Sequence, residues 1–143
     1  MDTQIFAQKY ADFYENLSST TSKEEYGAFF DTQSYFEDPF QKVYGHDGIY
    51  KVFEVMYTSL YAPKFKILEV VGSDAIVYIR WEFHYALSKK NLMSAFTGVS
   101  RVTFNEDGKI NSHIDYWDAG QHVYEKIPLL GAIIRYIKRK IHA

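Results

Sequence analysis

The chain contains no cysteine, which removes disulfide frameworks, thiolate nucleophiles and cysteine-ligated metals from consideration. Proline is scarce, at three residues, and no Pro/Gly/Ser-rich stretch divides the 143 residues, so they read as one domain with one core. Charge of neither sign dominates: Lys and Arg number 16 and Asp and Glu 18, for a net charge of −2 and a pI near 6.2. That balance, without a basic stripe through the body, argues against nucleic acid as a partner. No run approaches the ~20 apolar residues of a membrane span. Met1-Asp2-Thr3-Gln4 lacks the basic region and apolar run of a signal peptide. A soluble cytoplasmic protein is the expectation.

Aromatic residues are abundant, at 18% with 13 Tyr and 11 Phe. They combine apolar area with polar handles, which suits a cavity for an apolar, oxygen-bearing small molecule, although subunit interfaces share that composition.

Ile5, Tyr10, Phe13, Tyr14 and Leu17 recur at helical spacing and predict a helix from about Thr3 to Leu17. Ser22 followed by Glu25 is a capping-box pattern that opens a second, short helix. Ser34 to Asp38 reads as a short strand ended by Pro39. Gly45 to Gly48 is a turn before a helix striped by Ile49, Val52, Phe53, Met56, Tyr57 and Leu60, which Pro63 is expected to stop. The period then falls to 2. Phe65–Val71, Ala75–Ala86, Asn91–Phe104 and Lys109–Asp118 read as four strands joined by hairpin-length turns, an antiparallel meander following helices and hence an α+β fold. After Asp118 the helical period returns, with a short helix near Gln121–Lys126 and another past Pro128. There Leu130, Ile133, Ile134, Ile137 and Ile141 share a face opposite Arg135, Lys138 and Arg139. Residues 1–118 are thus the main α+β unit and 119–143 its C-terminal helical extension.

Two strand-like stretches carry ionisable faces. His113, Asp115 and Trp117 share one side of the last strand, and Arg80, Glu82 and His84 one side of the second long strand, with Val77, Ile79, Trp81, Phe83 and Tyr85 on its other side. Alternation alone reads the Trp81 stripe as core and Arg80, Glu82 and His84 as solvated. If instead the two charged faces line one cavity, Arg80 between Glu82 and Asp115 would split their proton affinities and give an acid and a base, with His84 and His113 as proton shuttles.

The order of elements, with Phe36-Glu37-Asp38-Pro39, Val43-Tyr44-Gly45-His46-Asp47-Gly48-Ile49 and Asp107-Gly108-Lys109-Ile110, resembles the nuclear transport factor 2-like superfamily. That group includes SnoaL-like polyketide cyclases, ketosteroid isomerases and limonene-epoxide-hydrolase-like enzymes. The resemblance implies a cone-shaped, cystatin-like roll, a curved antiparallel sheet wrapped around the N-terminal helices. It implies that the concave face forms the cavity, which turns Arg80, Glu82 and His84 inward. The Trp81 stripe would then face a second subunit in a sheet-to-sheet homodimer. Arg80-Trp81-Glu82 and Asp115-Tyr116-Trp117-Asp118 are similar to the epoxide-hydrolase pattern, which makes Asp115 the general base, Glu82 the proton donor and Arg80 the group between them. Phe36 and Asp38 stand where that pattern has its water-positioning Tyr and Asn. The isomerase pattern makes Asp38 the base and Tyr10 an oxyanion donor, with Ser100 at the place of the oxyanion Asp.

Tyr10, Tyr14, Phe36 and Trp117 are expected to wall the ligand cavity. No cofactor is implied. His84, His113 and Asp115 lack metal-ligand spacing, so no metal is expected. Three functions remain open: a cofactor-independent isomerase, cyclase or hydrolase; a binding protein for a lipid-like or polyketide-like ligand; and a dimeric interaction domain with a filled cone. The basic tail helix reads as a lid, a dimer element or a peripheral membrane contact, with packing against the body the expected outcome.

Overall fold

A computed structural model describes residues 2–142. Helix α1 (Thr3–Glu15) is capped by Asp2, whose carboxylate accepts the N–H groups of Gln4 and Ile5, and it buries Ala7, Tyr10, Ala11 and Tyr14. Helix α2 (Lys23–Phe29) starts at the Ser22–Glu25 capping box, both halves of which are formed. Strand β1 (Phe30–Asp38) turns through Pro39 and Phe40 into β2 (Gln41–Tyr44), and α3 (Gly45–Ser59) follows. The meander is β3 (Tyr61–Ser73), β4 (Ile76–Ala86), β5 (Ser94–Phe104) and β6 (Ile110–Tyr116). Helix α4 (Ala119–His122), a 3₁₀ turn (Tyr124–Lys126) and α5 (Pro128–Ile141) close the chain.

The six strands form one curved, unclosed sheet in the order β2-β1-β6-β5-β4-β3, antiparallel except where β1 runs parallel to β6. Strand β2 was not foreseen, because four residues give too short a pattern to read. Helix α3 ends at Ser59, four residues before the Pro63 expected to stop it. Pro63 sits inside β3, an edge strand with an irregular register between Tyr61 and Lys64, where a missing N–H costs no ladder bond.

The sidedness of β4 corrects the expectation drawn from resemblance. Val77, Ile79, Trp81, Phe83 and Tyr85 are all buried in the core, packed with α1 and α3 residues. Arg80 is exposed and pairs with Glu69 at 3.9 Å, while Glu82 and His84 pair with each other on the same outer face. The physical reason is that both terms agree: burying five large apolar side chains is favourable, and burying three ionisable ones would be costly. The outward apolar stripe that argued for a sheet-to-sheet homodimer is therefore not there. The outer face of β4 carries Tyr78, Arg80, Glu82 and His84 instead.

Candidate active site

The inner face of the sheet brings residues from four elements into one hydrogen-bonded chain. In β6, two-residue periodicity turns His113 and Asp115 to the same side, and both are buried. Strand β5 sets Ser100 opposite Asp115, and β4 sets Ile79 opposite Ser100 and Trp81 opposite Gly98. Tyr10 and Tyr14, one helical turn apart on α1, come down over this face, and Ala7 and Ala11 let the helix approach closely.

Tyr10 Oη lies 2.7 Å from His113 Nδ1, and His113 Nε2 lies 2.7 Å from Asp115 Oδ1. Ser100 Oγ donates to the same Oδ1 at 2.5 Å and accepts the Trp81 indole N–H at 2.8 Å. With a neutral imidazole bearing its proton on Nε2, every member is satisfied: Tyr10 donates to Nδ1, Nε2 donates to Asp115, Trp81 to Ser100 and Ser100 to Asp115. The ring of His113 is fixed between Phe36, stacked at 5.0 Å, and Tyr14 at 5.4 Å. Burial, reinforced by the charge of Asp115, raises the Tyr10 and Tyr14 hydroxyls well above the usual phenol range, so both remain protonated donors. The Tyr14 hydroxyl is buried without a hydrogen-bond partner among the described residues.

Two donors converge on Asp115 Oδ1, and Oδ2 makes no hydrogen bond among the described residues. Asp115 is 9% exposed and lines an open cleft of about 530 Å³ between the end of β1 (Glu37, Asp38, Pro39) and the end of β6 (Tyr116, Trp117, Asp118). Asp38 stands across this cleft. Its Oδ1 accepts the N–H groups of Phe40 and Gln41, and its Oδ2 accepts from Gln41 Nε2, so it also closes the β1–β2 turn. Burial raises its pKa, against the hydrogen bonds from Gln41 and Phe40, and the charge of Asp115 adds to the rise. Two carboxylates thus face one cleft, one of them shifted toward holding its proton.

Of the residues singled out in the sequence, Asp115, Asp38, Tyr10, Tyr14, Phe36, Ser100, His113 and Trp117 gather at this inner face and its mouth. Arg80, Glu82 and His84 lie on the other side of the sheet. The expected aromatic-walled cavity is occupied by its own rings: Tyr14 on Phe65 at 4.4 Å, Phe65 on Phe83 at 4.7 Å, Phe83 on Phe96 at 5.6 Å and Phe96 on Trp117 at 4.5 Å. Sequence reasoning missed Trp81 as a member of the buried chain. The signal was Gly98, a glycine in mid-strand, which marks a close approach; a Cβ there would lie 2.4 Å from the Trp81 ring. Among the described residues no group of three His, Asp or Glu side chains is arranged to hold a metal ion.

Residues 10–113 match the SnoaL-like domain family. The chain belongs to that family. No curated protein matches it in sequence. Solved structures similar to it include a SnoaL-like family protein from Agrobacterium tumefaciens described as an isomerase, at 16% identity over 81% of this chain and 97% of that one, with a TM-score of 0.65. A SnoaL-like protein of the polyketide cyclase type from Jannaschia aligns at 9% identity over 80% and 85%, with a TM-score of 0.69. A Catenulispora acidiphila protein with a ketosteroid isomerase-like fold, in complex with trimethylamine, aligns at 13% over 83% and 89%, also at 0.69. At these identities the likeness is one of fold. The family match ends at His113, so Asp115 and everything from α4 onward lie beyond it.

Proposed function

We propose that this SnoaL-like protein moves protons on a small, largely apolar, oxygenated molecule at the mouth of the cone, without a cofactor. The observation that carries the reading is Asp115: its Oδ1 is taken by His113 and Ser100, which orients the carboxylate and leaves Oδ2 for the cleft that Asp38 also lines. Asp115 Oδ2 takes a proton from a carbon beside a carbonyl. The C–H electron pair forms a C=C bond, the carbonyl pair moves to oxygen, and that oxygen is protonated by the acid form of Asp38, whose pKa burial raises. In an enone the enol is a dienol, and reprotonation at its far carbon as the O–H proton returns to Asp38 gives an isomer. In a diketone the enol carbon attacks the second carbonyl, the enol proton returns to Asp38 and the new alkoxide takes the proton from Asp115, which gives a ring. Asp38 replaces Glu82 as the donor, because Glu82 lies on the outer face.

Deuterium incorporation beside the carbonyl of small diketones and enones in D₂O, read by mass spectrometry, tests this. Incorporation should exceed the buffer rate and fall by roughly 10²-fold or more in Asp115→Asn, the usual loss for a general base. No acceleration by the wild-type protein on any of these ketones, or equal acceleration by the variant, would refute it. The ring-filled interior favours a second reading, an interaction domain without turnover, under which the first of those outcomes is expected.

A further inference from the structure

Helix α5 is attached to the rest of the molecule by the side that would ordinarily face water. Gly131 is buried against the Glu125 carbonyl, and a Cβ there would lie 1.9 Å from that oxygen. One turn on, Arg135 Nη1 donates to the same carbonyl at 3.1 Å, and Lys138 Nζ reaches the Glu125 carboxylate at 2.7 Å. Gly131, Arg135 and Lys138 are spaced i, i+4, i+7 and form one face. The opposite face points away from the body: Leu129, Leu130, Ile133, Ile137 and Ile141 are between 40% and 79% exposed. The sequence expectation that the apolar stripe packs on the body therefore does not hold.

An apolar face of this extent on a surface helix needs a partner. Charge identifies which one. From Glu125 to the end of the chain there are five cations, Lys126, Arg135, Lys138, Arg139 and Lys140, and Glu125 is the one acid. The segment stands at +4 in a chain of net −2, so the remainder stands at −6. Two copies of α5 packed face to face would bring like charges together, whereas an anionic lipid surface attracts the helix and repels the body. At 14 residues α5 is too short to cross a bilayer, and no described helix is long and apolar enough to do so. Lys140, which lies within the apolar arc, holds its ammonium 5.5 Å from the centre of the Tyr136 ring, a stem placed to reach up to head groups.

A second element carries the same chemistry. The β4–β5 hairpin presents Leu87 and Leu92, 70% and 93% exposed, around Lys89 and Lys90. Its base adjoins the root of the tail, since Phe96 stacks on His122 of α4 at 5.0 Å.

We infer that α5 is an interfacial helix that lays its isoleucine and leucine face into an anionic lipid bilayer, with Arg139 and Lys140 at the head groups. Co-sedimentation of the full chain with vesicles of phosphatidylcholine and about one third phosphatidylserine tests this. Binding should exceed that to pure phosphatidylcholine and weaken as salt is raised. Arg139→Ala with Lys140→Ala should weaken partitioning roughly 30-fold, from the charge contribution of two cations near an anionic surface. Ile133→Asn with Ile137→Asn should weaken it by roughly 100-fold or more, as expected for two buried aliphatic side chains. These positions are exposed, so all variants should melt with the wild type; circular dichroism checks this. Wild-type binding no stronger than that of the double Asn variant overturns the inference. So does a dimer in sedimentation velocity that the Asn substitutions dissociate, with no vesicle binding.

Discussion

Trp81 closes the buried hydrogen-bonded chain at Ser100, and Gly98→Ala tests its orientation directly. A methyl group at residue 98 would sit 2.4, 2.6 and 2.9 Å from three carbons of the Trp81 six-membered ring. Relaxed carbon contacts need ~3.5–4.0 Å, so the ring must withdraw by about 1 Å. It has nowhere to go: Phe65 meets it edge-on at 5.2 Å, Phe96 lies at 6.1 Å, and its N–H is held by Ser100 at 2.8 Å. Overpacking of this kind costs ~1–3 kcal/mol. If the indole leaves Ser100, a buried unpaired N–H adds ~1–3 kcal/mol. With both costs the melting temperature should fall by about 4–24 °C, at ~2–4 °C per kcal/mol for a domain near this size. Thr97→Ala, on the outer face one residue away, should stay within ~0.5 kcal/mol of wild type. Trp81→Phe shortens the ring and should relieve the clash, so the double variant should be more stable than the sum of the singles by about 1 kcal/mol or more. A Gly98→Ala protein that unfolds with the wild type, or a strictly additive double variant, would refute a Trp81 packed inward over Gly98.

Asp38→Asn should change the pH dependence of stability. With its folded pKa raised, chiefly by burial, Asp38 in the native state keeps a proton that the unfolded chain has lost, so stability declines as pH rises from the ordinary Asp value of ~3.9 through the folded value. Asn keeps the turn acceptor without the charge, and urea unfolding across that range should show a shallower decline; parallel curves would refute the shift. Tyr14→Phe removes a hydroxyl that has no partner and should leave stability unchanged or raised by up to ~1 kcal/mol, whereas Tyr10→Phe strands His113 Nδ1 and should cost ~1–3 kcal/mol. Equal losses in the two melting curves would contradict that contrast.

Much of the fold was legible because local signals agreed with the tertiary result. Ile5 to Leu17 repeat at helical spacing, Ser22 and Glu25 form the box they spell, and β4 and β5 alternate cleanly. The inner face of β6 was legible for the same reason, because His113 and Asp115 are two residues apart. The β4 face was misassigned where resemblance was allowed to outweigh alternation. Its five large apolar residues already named the core side, and Gly98 opposite Trp81 said that a ring lies flat on the neighbouring strand. The amphipathic stripe of α5 was also visible, but periodicity cannot say which face docks. That was decided by Gly131, whose missing Cβ admits the Glu125 carbonyl.

The case for chemistry at the mouth rests on costs that packing alone does not explain. A fully buried phenol with no partner at Tyr14 is destabilising, and phenylalanine would fill the same space more cheaply. A partly buried carboxylate at Asp38 in the field of Asp115 is also destabilising, although Asn would close the turn as well. The buried run from Tyr10 through His113 ends on Asp115, whose free oxygen is the point where the run meets the cleft. Local violations of this sort accumulate where function opposes stability. Asp38 and Asp115 face each other across the cleft and the charge of Asp115 raises both Asp38 and Tyr14, so a ligand hydroxyl that donates between the two carboxylates would relieve their crowding. A scaffold whose one task was to hold a sheet around helices gains nothing from the Tyr14 hydroxyl, and Asp38→Asn would close its β1–β2 turn as well.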